Sequence, residues 1–285
     1  MPALPHDVLT CPVCSSALAP DGRALVCARG HRFDAARQGY VNLLTGKGSP
    51  FEGDTPEMVD AREAFLGSGH YAPLRDAVIA ASLRHAARGG IALDAGAGTG
   101  YYLQGVSEAL PSHVPIALDV SKAALRRAAR RLPHGISLVW DVWRRLPLAD
   151  ASVDVLLNVF APRNAAEFVR VLAPNGCLVV VTPRPGHLAG LDAVGPLLSV
   201  PPQKADDVAA SFAGVLAEAE RTDIDYTMVL PRDLARSALV MGPAARHADL
   251  RVTGTTGGAA ADRGLDAGPL EVDARFTLQV LTRPA

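Results

Sequence analysis

The chain has 285 residues, 49% of them hydrophobic and 20% charged, and a net charge of −1; this composition excludes a disordered chain and fits one large domain with a small module beside it. No apolar run approaches the roughly 20 residues that cross a bilayer, and the N-terminus, with Pro2, Pro5, His6 and Asp7, lacks the basic-then-apolar order of a signal peptide, so a cytoplasmic chain with no membrane partner is expected. Near-neutral charge also excludes a protein whose whole surface traps polyanions, so any nucleic-acid surface must come from local clusters.

Cys11, Cys14 and Cys27 stand with His31 in the order C-x2-C-x12-C-x3-H. Three thiols and an imidazole supply the four ligands of a closed tetrahedral Zn2+ site with a structural role, whereas an odd cluster of three in a reducing compartment disfavours disulfides. Pro20-Asp21-Gly22 sits at the middle of the insert and predicts a short hairpin, hence a zinc ribbon. A DNA-reading finger would need a helix there. Beyond it, Phe33, Tyr40, Val41, Leu43 and Leu44 alternate with Arg32, Arg37, Gln38 and Asn42, an interleaving that suits either stacking on RNA or a cover for the zinc core. Residues 1–48 are read as this module. That boundary predicts that Cys11→Ser unfolds the module and leaves ligand binding elsewhere nearly intact.

Glycine and proline over 47–56 mark a linker, and helical periodicity over 57–66 and about 73–88 makes 49–88 a linker and helical segment. The main domain, 89–285, opens on Leu93-Asp94-Ala95-Gly96-Ala97-Gly98-Thr99-Gly100, after apolar residues and before a helix-like run over 101–110. This is a strand, a glycine turn and a helix start, where bare glycines admit close approach of a ligand and free N–H groups favour an anion. The dinucleotide pattern G-x-G-x-x-G would need glycine at Tyr101, so the loop is D-x-G-x-G-x-G instead. Asp119 and Asp141 close the next two apolar runs. Three acids at three successive strand ends resemble the S-adenosylmethionine (SAM) site of class I methyltransferases, with Asp94, Gly96, Gly98, Gly100, Asp119 and Asp141 as cofactor residues.

Between those acids lie Lys122, Arg126, Arg127, Arg130 and Arg131 without an acid among them, which reads equally as an RNA contact or a solvated helix face. Strands are expected over 153–158 and 176–182 with a short helix over 165–172 between them. Cys177 lies in the second of these strands as a small buried residue. Alternating patterns over 224–230 and 272–280 predict an antiparallel pair with a helix over 232–241 inserted, and 254–268 shows no readable period. The expected fold is α/β: a Rossmann-like class I methyltransferase with a seven-stranded mixed sheet and a small N-terminal zinc ribbon.

Cys11-Pro-Val-Cys14, Cys27-x3-His31-x-Phe33-Asp34, the run from Ala36 to Leu44, Phe65-Leu66-x-Ser68-Gly69-His70-Tyr71-x-Pro73-Leu74, Leu118-Asp119-Val120-Ser121-Lys122, Asn158 to Asn164 and Thr182-Pro183-x3-His187-Leu188 occur in one order over about residues 8–190. Together they resemble the RlmA family of 23S rRNA (guanine-N1)-methyltransferases, and Asp141-Val142-Trp143 with Asn158–Asn164 resembles its TlrB-like, macrolide-resistance branch. The resemblance implies that Cys11, Cys14, Cys27 and His31 hold zinc, that Tyr71, Tyr102, Leu103 and His187 touch SAM, and that the zinc module helps to recognise a 23S rRNA hairpin and not DNA. It leaves a homodimer open. Asn158, Phe160 and Arg163 follow the fourth strand, where such enzymes hold the target base, with Phe160 stacking on a flipped guanine and Asn158 bonding its edge. Two alternatives stay open at this point: a small-molecule SAM methyltransferase and a non-catalytic zinc-containing RNA binder.

Overall fold

The turn expected at Pro20-Asp21-Gly22 closes a hairpin of β1 (Leu18–Asp21) and β2 (Ala24–Cys27), with Asp21 opposite Ala24, and β3 (Arg32–Asp34) pairs antiparallel to β2. These and all later coordinates come from a computed structural model, which describes residues 7–46, 48–195, 197–242 and 268–284. A short strand β4 (Val41–Asn42), not expected from the sequence, keeps only an isolated bridge to the ribbon segment, from Val41 to Ala35. It lies parallel to β7 (Ile136–Val139), so the zinc module contributes an edge strand to the main sheet.

Thr55 caps α1 (Pro56–Gly67) by accepting the Met58 N–H, with proline in the first turn where its missing donor costs nothing. Next come α2 (Ala72–His85), β5 (Gly90–Ala95), α3 (Tyr101–Ala109), β6 (His113–Asp119) and α4 (Lys122–Arg131). After β7 the chain forms β8 (Val153–Val159), α5 (Ala165–Val171), β9 (Leu172–Pro183), α6 (Lys204–Ser211), β10 (Ala217–Leu230), α7 (Arg232–Val240) and β11 (Leu270–Thr282). The helix α6 is unannounced by periodicity: of its eight residues only Val208 is buried. Most of 254–268 lies outside the described residues.

The sheet order is β10-β11-β9-β8-β5-β6-β7-β4, with β11 antiparallel to both neighbours and β5 to β9 parallel. Seven strands make the expected mixed sheet, and β4 is an eighth. Central strands are buried on both faces. Ala92, Val155 and Val179 face α2 and α3 through Leu74, Val78, Leu103 and Val106. Ile91, Leu93, Leu156 and Val180 pack on the opposite side in one cluster with Phe168, Phe212 and the module's Leu9, Leu18 and Leu25. Val41 and Leu43 are buried in this cluster and Tyr40 in the one across the sheet, so the interleaved segment serves packing rather than an open stacking surface. No described helix is long and apolar enough to cross a membrane.

Candidate functional site

The glycine loop lies where β5 ends, at the strand-order reversal between β5, β6 and β8 where open α/β sheets bind ligands. Gly96 has φ +96° and a Cβ there would stand 2.3 Å from the Ala161 Cβ, so the loop and the β8 end fit only with a bare backbone. Gly98 has φ +53° and its N–H donates to Asp119 Oδ2 at 2.9 Å. The second oxygen of Asp119 accepts the Ser121 N–H at 2.7 Å. Gly100 directly precedes α3.

Among the described protein atoms, a Cβ at Gly98 would meet only Arg62 Cδ, at 3.8 Å. A valine there acts on the backbone as well as on the space beside the loop. A β-branched residue in the left-handed region costs about 1–2 kcal/mol, and relief of that strain turns the N–H away from Asp119. SAM affinity in Gly98→Val is expected to fall at least about tenfold by calorimetry; wild-type affinity would overturn the loop's assignment.

Asp94 is buried and its Oδ1 has no partner among the described residues; burial, with Asp119 nearby, pushes its carboxyl up to about 8. Burial also raises Asp119. A narrow pocket joins Asp94 and the glycine loop to Arg62, Leu66, Tyr102 and Phe160. Thr99 Oγ1 and the Tyr101 and Tyr102 hydroxyls are likewise buried with no partner among the described residues. Orphaned polar atoms around a glycine cradle fit a polar, cationic cofactor such as SAM. Leu103 lies wholly in the core, so it reaches a ligand only through its backbone.

The third acid, Asp141, faces the linker. Its Oδ2 accepts the Ser49 hydroxyl at 2.8 Å and its Oδ1 the Trp143 N–H at 3.0 Å. Asp54 carbonyl accepts the Ser121 hydroxyl at 2.8 Å, and a Cβ on Gly53 would strike Ser121 Cα at 2.7 Å. The linker thus runs across the ends of β6 and β7, over the acids.

On the β8 side, Tyr71, Phe160, His187 and Phe276 form one aromatic cluster, with Phe276 centred 4.6 Å from His187, 5.2 Å from Tyr71 and 5.5 Å from Phe160. Phe276 was missed in the sequence because alternation in β11 marks it only as core. Tyr71 Oη lies 3.2 Å from His187 Nε2, and His187 Nδ1 accepts the Arg275 N–H at 3.2 Å. Burial, aided by the Lys204 ammonium, lowers His187 to about 4, so the ring is neutral, protonated on Nε2, and donates to Tyr71. Neither ring nitrogen is left to accept a proton.

Phe160 is 39% exposed and has φ +54°. A non-glycine residue held there stores about 1–3 kcal/mol of strain, which the surroundings must enforce. Asn158 does so: its amide donates to Ala95 O at 3.1 Å and to Pro162 O at 2.9 Å, and its Oδ1 accepts Arg163 Nη1 at 3.3 Å. Both N–H donors of the amide are thus engaged within the protein and tie the Phe160 turn to β5, so only a second acceptor bond at Oδ1 is left for a base edge. Arg163 has no ion-pair partner among the described residues, and burial lowers its guanidinium. Lys204, at the start of α6, is lowered by burial and by Arg163.

In the ribbon, Cys11, Cys14, Cys27 and His31 bring their ligand atoms within 4.8 Å of one another. Cys14 and Cys27 sulfurs are 3.7 Å apart, and His31 Nδ1 lies 3.3 Å from Cys27 Sγ and 3.6 Å from Cys11 Sγ. Zn–S bonds of about 2.3 Å and Zn–N bonds of about 2.0–2.1 Å make tetrahedral edges of roughly 3.6–3.8 Å. The four residues fit Zn2+. Cys177, by contrast, is buried in β9 with its thiol pushed up to about 12 by burial.

The basic run on α4 divides. Arg127 pairs with Asp60 at 2.6 Å and Arg131 with Glu63 at 2.9 Å, docking α4 on α1. Lys122, Arg126 and Arg130 remain exposed at four-residue spacing along one stripe.

Sheet order, glycine loop and acid-tipped strands define a class I SAM-dependent methyltransferase with an N-terminal zinc ribbon. A methyltransferase-domain family model matches residues 92–176, and the model for the RlmA N-terminal zinc ribbon matches residues 9–47. The chain is 45% identical over 248 residues to a Streptomyces fradiae protein named 23S rRNA (guanine(748)-N(1))-methyltransferase, covering 85% of this chain and 86% of the relative. It is 48% identical over 265 residues to a Micromonospora griseorubida protein described under the same family name, covering 86% and 88%. The chain belongs to the RlmA-type 23S rRNA (guanine-N1)-methyltransferase family. Among solved structures, a chain of a Haloferax volcanii complex between a methyltransferase activator and a methyltransferase shares the fold, at 16% identity and a TM-score of 0.51, with 82% of this chain and 100% of that one covered.

Proposed function

We propose that this protein transfers the methyl group of SAM to N1 of a guanine in a 23S rRNA hairpin, and that the guanine is the one at position 748, as in the name of the S. fradiae relative. The observation that carries the base-holding step is Phe160, half out of the protein on a strained turn beside the cofactor pocket. Its ring lies nearly parallel to His187 at 6.4 Å and leaves a face for a flipped base. Asn158 is a positioning residue for that ring. Arg163 and Lys204, cations that burial holds without ion-pair partners among the described residues, suit the phosphates of the extruded nucleotide. The zinc module and the exposed stripe of α4 supply further RNA surface.

SAM supplies a methyl carbon already activated by its sulfonium, so alignment of N1 behind that carbon is the protein's chief task. As the N1–CH3 bond forms the S–CH3 bond breaks, S-adenosylhomocysteine leaves and the N1 proton passes to solvent, because His187 has no free acceptor nitrogen. A methyl on N1 blocks the Watson–Crick edge. After incubation of unmodified 23S rRNA with protein and SAM, reverse transcriptase is expected to stop one nucleotide before the target guanine; no stop, or a methyl on a ribose, a pyrimidine or N7, would refute the proposal.

Asp94 adds a pH signature. Its carboxyl, near 8 in the free protein, is largely protonated at neutral pH, and the cationic end of SAM favours the carboxylate. Binding therefore releases a proton below pH 8, so affinity is expected to rise with pH from about 6 to 8 and to level above that. Calorimetry in buffers of different ionisation enthalpy should count close to one proton released at pH 7. A count near zero would remove Asp94 from the ammonium side of the cofactor.

A further inference from the structure

Two charged groups of opposite sign line the narrow pocket at the glycine loop, and each keeps one buried polar atom unpartnered among the described residues: Asp94 Oδ1 and Arg62 Nε. They do not pair with each other. Asp94 is fixed at the end of β5, while Arg62 reaches in from α1, with its Cδ 3.8 Å from where a Gly98 Cβ would stand. Arg62 Nη2 donates to Asp54 Oδ2 at 2.6 Å and to Met241 O at 2.8 Å, so the linker and the end of α7 both hold the guanidinium, while its buried Nε–H has no partner among the described residues.

Burying a guanidinium N–H unpaired is costly unless a ligand completes it. One ligand class satisfies both orphans together: an α-amino acid, whose ammonium faces a carboxylate while its own carboxylate faces a guanidinium. We propose that Arg62 is the ligand of the amino-acid carboxylate of SAM, opposite Asp94 at the ammonium. This rests on the SAM reading above and adds to it a residue from outside the glycine-loop and strand-end motifs, contributed by the helix that follows the linker. It also gives the linker a task, because Asp54 orients the guanidinium.

The test compares ligands that keep or lack the amino-acid end. By calorimetry, Arg62→Gln should bind S-adenosylhomocysteine about 10- to 100-fold more weakly than the wild type, the range of one charge-assisted hydrogen bond. It should bind 5′-methylthioadenosine, which has no amino-acid end, within about threefold of wild type. Arg62→Lys, with the charge but not the planar fork, should fall between. Independently of any variant, the wild type should prefer SAM to decarboxylated SAM by a similar factor, and Arg62→Gln should bind those two alike. Equal loss for both ligands would make Arg62 a purely structural residue of α1, and no preference for the carboxylate in the wild type would overturn the proposal outright. Failure of the wild type to bind any of the four ligands would instead refute the SAM reading.

Discussion

Asp119→Ala is expected to weaken SAM binding by about 10²-fold or more while leaving a folded protein, because this carboxylate does two tasks at once. Its oxygens hold the Gly98 and Ser121 N–H groups at 2.9 and 2.7 Å, fixing the loop against the start of α4. A carboxylate has about four lone-pair sites, so two remain for ribose hydroxyls at the end of β6, where this fold presents an acid to them. Hydrogen bonds to a charged group contribute about 1.5–3 kcal/mol each; losing the ribose pair alone gives the expected factor. Asp119→Asn should fare little better, since its amide turns a donor toward one of two backbone donors. Isothermal calorimetry with circular dichroism checks both points. A folded Asp119→Ala that binds SAM within threefold of wild type would move the ribose site elsewhere.

The contrast between Asp119 and Asn158 indicates what the sequence could and could not disclose. Asp94, the glycines and Asp119 were legible because the chemistry lies in the chain order itself: an apolar strand must end before its acid, and a helix must start after its glycines. The zinc ligands were legible by spacing. Asn158 and Phe160 were located correctly at a strand end, but which atoms of Asn158 are free depends on Ala95, 63 residues away, and on Pro162. Arg62 stands in a helix whose pattern reads as ordinary amphipathic packing; only the fold brings it to Gly98. The basic run on α4 likewise looked uniform, and acids on α1 neutralise two of its five charges. Local rules carry as far as one element; pairings between elements have to be seen.

The zinc module is where such a pairing changes an expected result. A boundary at residue 48 predicts that zinc loss spares the cofactor site, yet β4 pairs with β7, Leu43 N–H donates to Val139 O at 3.2 Å, and Val8 and Thr10 exchange backbone bonds with Ala149 and Pro147. Cys11 and Cys27 share an apolar cluster with Ile136, Leu138, Trp140 and Leu146, on the strand and loop that flank Asp141. Structural zinc supplies roughly 10–16 kcal/mol of folding free energy to small modules. Its removal should therefore release the ribbon and fray β7. We expect one zinc per wild-type chain by metal analysis. Cys27→Ser is expected to lose amide-exchange protection over 8–44 and also over 136–141, to abolish methylation of 23S rRNA, and to weaken SAM binding by about 3- to 30-fold through Asp141, a loss of up to about 2 kcal/mol. Loss of protection confined to 8–44, with wild-type SAM affinity, would restore the ribbon as a separate domain; protein purified without chelators and free of zinc would refute the metal site itself.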